Sequence, residues 1–188
     1  MDKKVPMEAI EPIIIDAGLV YKNWGENNEA MIGVTRGGNS FQVEPEYKDI
    51  ERDGARGKEK HMKRLINLDA NLVVNLMTLT IDNLKDALGV GELVTSGEPE
   101  TTVLKSSLDI DETDYIDNIT LIGEKLGGGY IRITIFNAFS DQGIEIAMED
   151  REETVVEVTF AAHFDPEASE STDYSDLFEI EHLATLPE

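Results

Sequence analysis

Between Thr154 and Asp165 the chain alternates. Val156, Val158, Phe160, Ala162 and Phe164 fall on one side, and Val155, Glu157, Thr159, Ala161 and His163 on the other. Successive strand side chains point to opposite faces, so this period of two predicts a strand packed on a core from one side. Two more apolar runs, Ile116 to Leu126 and Tyr130 to Phe139, flank Gly127-Gly128-Gly129. Glycine's access to positive φ makes that triplet a hairpin turn between two antiparallel strands. The same reasoning predicts a hairpin of Ala30 to Thr35 with Ser40 to Glu44 around Arg36-Gly37-Gly38-Asn39, and Leu65 to Leu79 reads as one long apolar strand. Only Thr80 to Gly89 reads as helical. Thr80 caps it, Asp82 sits where the macrodipole favours a negative charge, Ile81, Leu84 and Leu88 share a face, and Gly89 ends it. Many strands with one helix predict a mainly β fold: an antiparallel β-sandwich or barrel-like domain with one short flanking helix.

Two stretches carry no periodic pattern, Pro45 to Lys63 and the acidic segment from Pro166 to Asp176. Long unpatterned segments in a compact domain are usually functional or disordered. The expected layout is a β-sandwich domain over residues 1–165, with an extended N-terminal segment to about residue 17 and a long inter-strand loop at about 45–64. A C-terminal arm over 166–188 follows. In that arm Glu167, Glu170, Asp173 and Asp176 accompany Ser169, Ser171, Thr172 and Ser175, a composition that favours disorder in a monomer. Leu177 to Leu183 regains strand character, and the arm is expected to order against the fold or a neighbouring subunit.

Charge separates these two stretches. The 188 residues include 16 Lys+Arg and 39 Asp+Glu, a net charge of −23. From Glu46 to Arg64 the balance reverses, with seven cations against five acids, whereas Asp141 to Glu188 holds fifteen acids and one cation, Arg151. A field of this sign repels phosphates and anionic headgroups, so generic nucleic-acid or membrane-surface binding is disfavoured. With no Cys there is no disulfide, thiolate nucleophile or thiolate metal ligand. The run Ile13-Ile14-Ile15 is too short for a signal-peptide core or membrane span, which predicts a protein soluble in the cytosol where it is made.

No catalytic constellation emerges, and no catalytic residue, cofactor or metal ligand is predicted. His61, His163 and His182 stand in separate elements without ligand spacing. Asp109 to Asp114 starts like a calcium loop, but Asp114 stands where that loop needs Gly and Thr120 where it needs Glu. Gly54-Ala55-Arg56-Gly57-Lys58 has two residues between its glycines, not the four of a phosphate-binding loop, and Glu59 follows the Lys. A non-enzymatic protein is expected.

The order of segments is informative as a set. Met31 to Gly38 with Ser40-Phe41, then Asp49 to Gly57, an apolar strand, and Leu79 to Gly89 together resemble the major tail tube proteins of long-tailed, siphovirus-like bacteriophages and prophages. Tyr130 to Phe139, Ile144 to Met148, and Glu153 to Asp165 look like the paired closing strands of that family. The resemblance spans roughly Gly18 to Asp165.

That resemblance implies a virion structural subunit. Such proteins form hexameric rings that stack into a hollow tube through which DNA passes from capsid to host, built in the host cytoplasm and carried in the virion tail. It implies as partners the chain itself, a tape-measure protein and tail terminator and initiator proteins, without tight DNA binding or membrane insertion. The family's long loop reaches a neighbouring ring, which makes Lys48, Arg52, Asp53, Arg56, Lys58 and Lys60 the candidate ring-stacking residues. An acidic lumen would let DNA slide, since duplex DNA carries one negative charge per about 1.7 Å; Glu145 and Glu157, polar positions on otherwise apolar strands, are the candidate lumen-facing acids. The alternative is a β-sandwich virion adaptor or binding module that does not polymerise.

Overall fold

The computed structural model describes residues 14, 18–54, 57–148, 150–165 and 176–186. Among the described residues ten strands and one α-helix follow in chain order. They are β1 (Leu19–Lys22), β2 (Ala30–Met31), β3 (Ser40–Asp49), β4 (Lys63–Leu76), α1 (Ile81–Leu88), β5 (Glu92–Ser96), β6 (Thr101–Lys105), β7 (Ile116–Glu124), β8 (Tyr130–Ser140), β9 (Val156–Ala161) and β10 (Phe178–Leu183). Eight strands make one antiparallel sheet in the order β2-β1-β7-β8-β9-β4-β3, with β10 added to β8, while β5 and β6 form a separate hairpin.

The sheet folds back over itself. Through most of its length β8 pairs with β7, but at Phe139 and Ser140 it pairs instead with Ala161 and Phe160 of β9. Next to that switch Asn137 adopts φ 47°, a left-handed conformation that Asn tolerates better than most residues. His163 holds the bend. Its backbone N–H donates to the Phe136 carbonyl, its own carbonyl accepts from Asn137 Nδ2 at 3.1 Å, and its Nδ1 lies 3.1 Å from the carbonyl oxygens of Asn137 and Ala161. The two sheet halves then face each other across one core. Val20, Ile119 and Ile135 come from one half and Leu72, Val74, Leu76, Val156, Val158 and Phe160 from the other, all 0–1% exposed. Burying each such side chain contributes about 1.5–3 kcal/mol.

The alternation over β9 is realised through Ala161, with Glu157 on the solvent side, and the Gly127 to Gly129 turn joins β7 to β8. The helix is capped as its sequence predicts: the Thr80 hydroxyl accepts from the Asn83 N–H, and Gly89 closes it at φ 72°. Its buried face differs from the expected one. Ile81, Leu84 and Leu88 are only half-buried, and the contact centres on Asn83 and Ala87. Small size decides this, because the Ser140 hydroxyl reaches the Ala87 carbonyl at 2.7 Å and Asn83 Nδ2 donates to the carbonyls of Ile32 and Thr78.

Three sequence expectations are corrected. Ala30 to Thr35 and Ser40 to Glu44 are not hairpin partners: β2 pairs with β1, and β3 pairs with β4. Residues 32–39 instead cross between the sheet halves, tied to β4 by a bridge from Thr35 to Leu76 and by Asn75 Nδ2 donating to the Gly38 carbonyl. A Gly-Gly turn reports that the chain reverses, not which strand it meets. Pro45 to Lys63 is not all loop, since β3 runs to Asp49 and β4 begins at Lys63. Ile144 to Met148 forms no strand. The β5–β6 hairpin was not foreseen, although Leu93-Val94 and Val103-Leu104 around Gly97-Glu98-Pro99 carry a readable turn signal.

Gly89 tests how tightly helix and sheet meet. A Cβ there would lie 2.1 Å from the Ser140 carbonyl oxygen, on a backbone already at positive φ. Gly89→Ala is expected to destabilise the fold by about 2 kcal/mol or more, lowering the melting temperature by about 4–8 °C. Calorimetry of the two proteins checks this; equal melting temperatures would contradict the close packing.

Candidate functional site

Core burial stops partway along the β3–β4 hairpin. β9 supports β4 only from Asn71 to Leu76, so Lys63–Leu68 pairs with β3 alone. The outer half of the hairpin is a two-stranded arm, all but uncovered. Tyr47, Ile50, Leu65 and Ile66 are each 47–57% exposed on it. The register shifts at Glu46/Tyr47, leaving Ile66 as the extra residue of a β-bulge that twists the ribbon.

The 50–62 tip of the arm is cross-linked by its own charges. Arg52 holds Glu59 by two hydrogen bonds, 2.7 and 2.8 Å, and Lys58 meets Asp49 at 2.9 Å. The hydrogen bond from Lys58 lowers the Asp49 pKa, and the one from Arg52 lowers that of Glu59 while raising its own. The folded tip favours the ionised acids, so their contribution is present above the ordinary carboxylate range and lost as pH falls through the lowered values. Lys63 Nζ lies 4.3 Å from the centroid of the Tyr47 ring.

Of the six residues expected on the stacking loop, Arg52 and Lys58 are thus engaged within the tip. Asp53 is exposed in its turn, Lys48 sits on β3, and Lys60 is exposed without an ion pair among the described residues. Arg56 lies outside the described residues. Sequence reasoning missed Tyr47, Ile50, Leu65, Ile66 and Arg64; apolar residues interspersed in a charged stretch were the available signal.

Glu145 and Glu157 come together on one surface. Both line an open groove of about 570 Å³ between the 142–147 segment and the outer face of β9, with Ile144, Ala147 and Val155. Its neighbours Ile146 and Met148 are 40% and 83% exposed. Neither acid has an ion pair among the described residues.

A third charged cluster pins the C-terminal strand. β10 pairs with β8 from Phe178↔Ile135 to Leu183↔Tyr130, and Phe178 meets Phe41 edge-on at 5.3 Å. Arg132 meets Glu181 at 2.8 Å and Glu179 at 3.6 Å. Glu181, by hydrogen bond and by charge, together with partial burial and Asp176, raises the Glu179 pKa despite Arg132.

Among the described residues no three His, Asp or Glu side chains converge to hold a metal, and no helix is long and apolar enough to cross a membrane. His163 is spent on the β8 bend, and His182 Nδ1 lies 3.1 Å from Lys125 Nζ.

No protein-family model matches the chain, and no curated protein matches it. A chain of the solved structure described as "Virion of native gene transfer agent (GTA) particle" is similar at 12% identity and a TM-score of 0.43, over 80% of this chain and 95% of that one.

Because the Glu179 pKa is raised, its contribution is present at acid pH and lost as pH rises through the raised value. Glu179→Gln is therefore expected to raise the melting temperature at pH 7. The gain should vanish below about pH 4, where the wild-type carboxyl is itself protonated. Thermal melts across pH check this, and a pH-independent difference would refute it.

Proposed function

We propose that this chain is the structural subunit of a phage tail tube. Copies close into rings, hexameric on the family pattern, and the rings stack into a hollow conduit for DNA passage from capsid to host. The observation that carries this reading is the β3–β4 arm, four of whose large apolar side chains stand half-exposed beyond the core that supports the rest of the hairpin. A monomer gains nothing from such a surface, whereas a neighbour that covers it gains the hydrophobic free energy of its burial. The ordered segments of the sequence and the mainly β fold with a single α-helix agree with the same reading. An arm at one place meeting a receptor at another makes a heterologous contact, which propagates into rings or filaments. The net charge of −23 suits a conduit that must not retain DNA.

Purified protein, examined by negative-stain electron microscopy and light scattering across concentration and prolonged incubation, is expected to give rings or hollow tubes. The variant Tyr47→Ser/Leu65→Ser should keep the wild-type circular dichroism spectrum, since both side chains are half-exposed, and assemble only at markedly higher concentration. Wild-type particles that stay monomeric throughout would favour the non-polymerising adaptor instead.

A further inference from the structure

The arm carries an unbalanced pair of charges. In the β3–β4 register Lys48 stands directly opposite Arg64, so both cations project from the same face of the ribbon. Like charges directly across a strand pair are destabilising. Three other cations near the tip have partners, Arg52 with Glu59, Lys58 with Asp49 and Lys63 over Tyr47, whereas Lys60 has no ion pair among the described residues. Lys48 and Arg64 have no ion pair among the described residues. Ile50, two residues beyond Lys48 and on the same side by strand alternation, is 48% exposed, and Ile66 emerges beside Arg64 at the bulge. Ile50, then Lys48 with Arg64, then Ile66 run along this face, with the exposed Glu46 two residues from Lys48 on the same side, on a chain of net charge −23.

The Glu145–Glu157 groove has the complementary pattern. Two unpaired acids lie among Ile144, Ala147 and Val155, with Ile146 and Met148 exposed beside them. The arm does not reach its own groove. Glu157 pairs with Asn75 of β4, eleven residues from Arg64 on the same strand, and a strand rises about 3.3 Å per residue, which separates the two sites by about 36 Å.

We infer that the Glu145–Glu157 groove seats the Lys48–Arg64 face of the arm of a second copy. This deepens the self-association reading and rests on it. The occupant follows from charge: among the described residues Lys48 and Arg64 on the arm and Glu145 and Glu157 in the groove have no ion pair, and the distance between them makes the contact intermolecular. Each copy offers one arm and one groove, so the contact is head-to-tail. The two acids then face a neighbour rather than the lumen.

Charge exchange tests the pairing. One variant carries Lys48→Glu/Arg64→Glu, the other Glu145→Lys/Glu157→Lys; all four residues are exposed, and circular dichroism and thermal melting confirm that both variants fold. Sedimentation velocity and electron microscopy then follow each variant alone and in an equimolar mixture. Alone, each sets like charge against like, and the concentration needed for assembly should rise roughly a hundredfold. Mixed, every arm finds a groove of opposite sign, and assembly should return towards the wild-type threshold. A Glu145→Lys/Glu157→Lys protein that assembles like wild type, or a mixture of folded variants that fails to associate, overturns the pairing while wild-type tubes leave the structural-subunit reading intact. A wild-type protein monomeric at every concentration overturns both.

Discussion

The bend at the end of β8 is the constraint on which the rest of the molecule depends. A single sheet has one face to bury and no second layer to bury it against. By placing Asn137 in a left-handed conformation and pinning it and Phe136 with three groups of His163, the chain turns one sheet into two facing layers. Phe160, Val158 and Leu72 then meet Ile119 and Ile135 instead of water. The helix closes the same region, through the Ser140 hydroxyl on the Ala87 carbonyl one strand-end away from the bend. β10 completes β8 along the part that β9 leaves uncovered.

How far the sequence disclosed this depends on what drives each element. Where a strand is held by burial on one face, as in β9 or the inner half of β4, the period-two pattern names its inward residues, and Val156, Val158 and Phe160 are inward. The α1 caps were legible because their chemistry is local: a hydroxyl and a glycine, each acting within one turn. In the outer half of the β3–β4 arm Leu65–Leu68 was legible as strand, but Pro45–Asp49 was not, because the two segments are held by each other and no core imposes an alternation. Strand partners were likewise hidden, since nothing in residues 30–44 states that β2 joins β1 and β3 joins β4. The groove shows the same division. Alternation placed Glu157 on a solvent-facing wall, but only the fold brings Glu145 beside it.

Acidity and basicity are sorted spatially as well as along the chain. Of the described acids in the last quarter, Glu145 and Glu157 lie on the groove and Glu179 and Glu181 on β10, where the repulsion of Glu179 from Glu181 is only partly offset by Arg132. The described cations between residues 46 and 64 stand out on the arm. A chain that needed charge only for solubility would gain nothing from this segregation. A chain that recognises its own copies gains both attraction at one contact and repulsion at all others, which discriminates the intended pairing from the rest.

On the proposed pairing, the distance of about 36 Å between a copy's own arm and groove would also shape how copies meet in solution. At physiological ionic strength the Debye length is about 8 Å, far shorter than that spacing. Acidic surfaces further apart than this are nearly invisible to each other, while charges that touch at the tip remain within the unscreened range. Salt then acts with opposite signs on the two, muting the repulsion between bodies before it reaches the contact between arm and groove. Assembly through a projecting arm accordingly has an optimum of ionic strength, where a contact flush with the body would not.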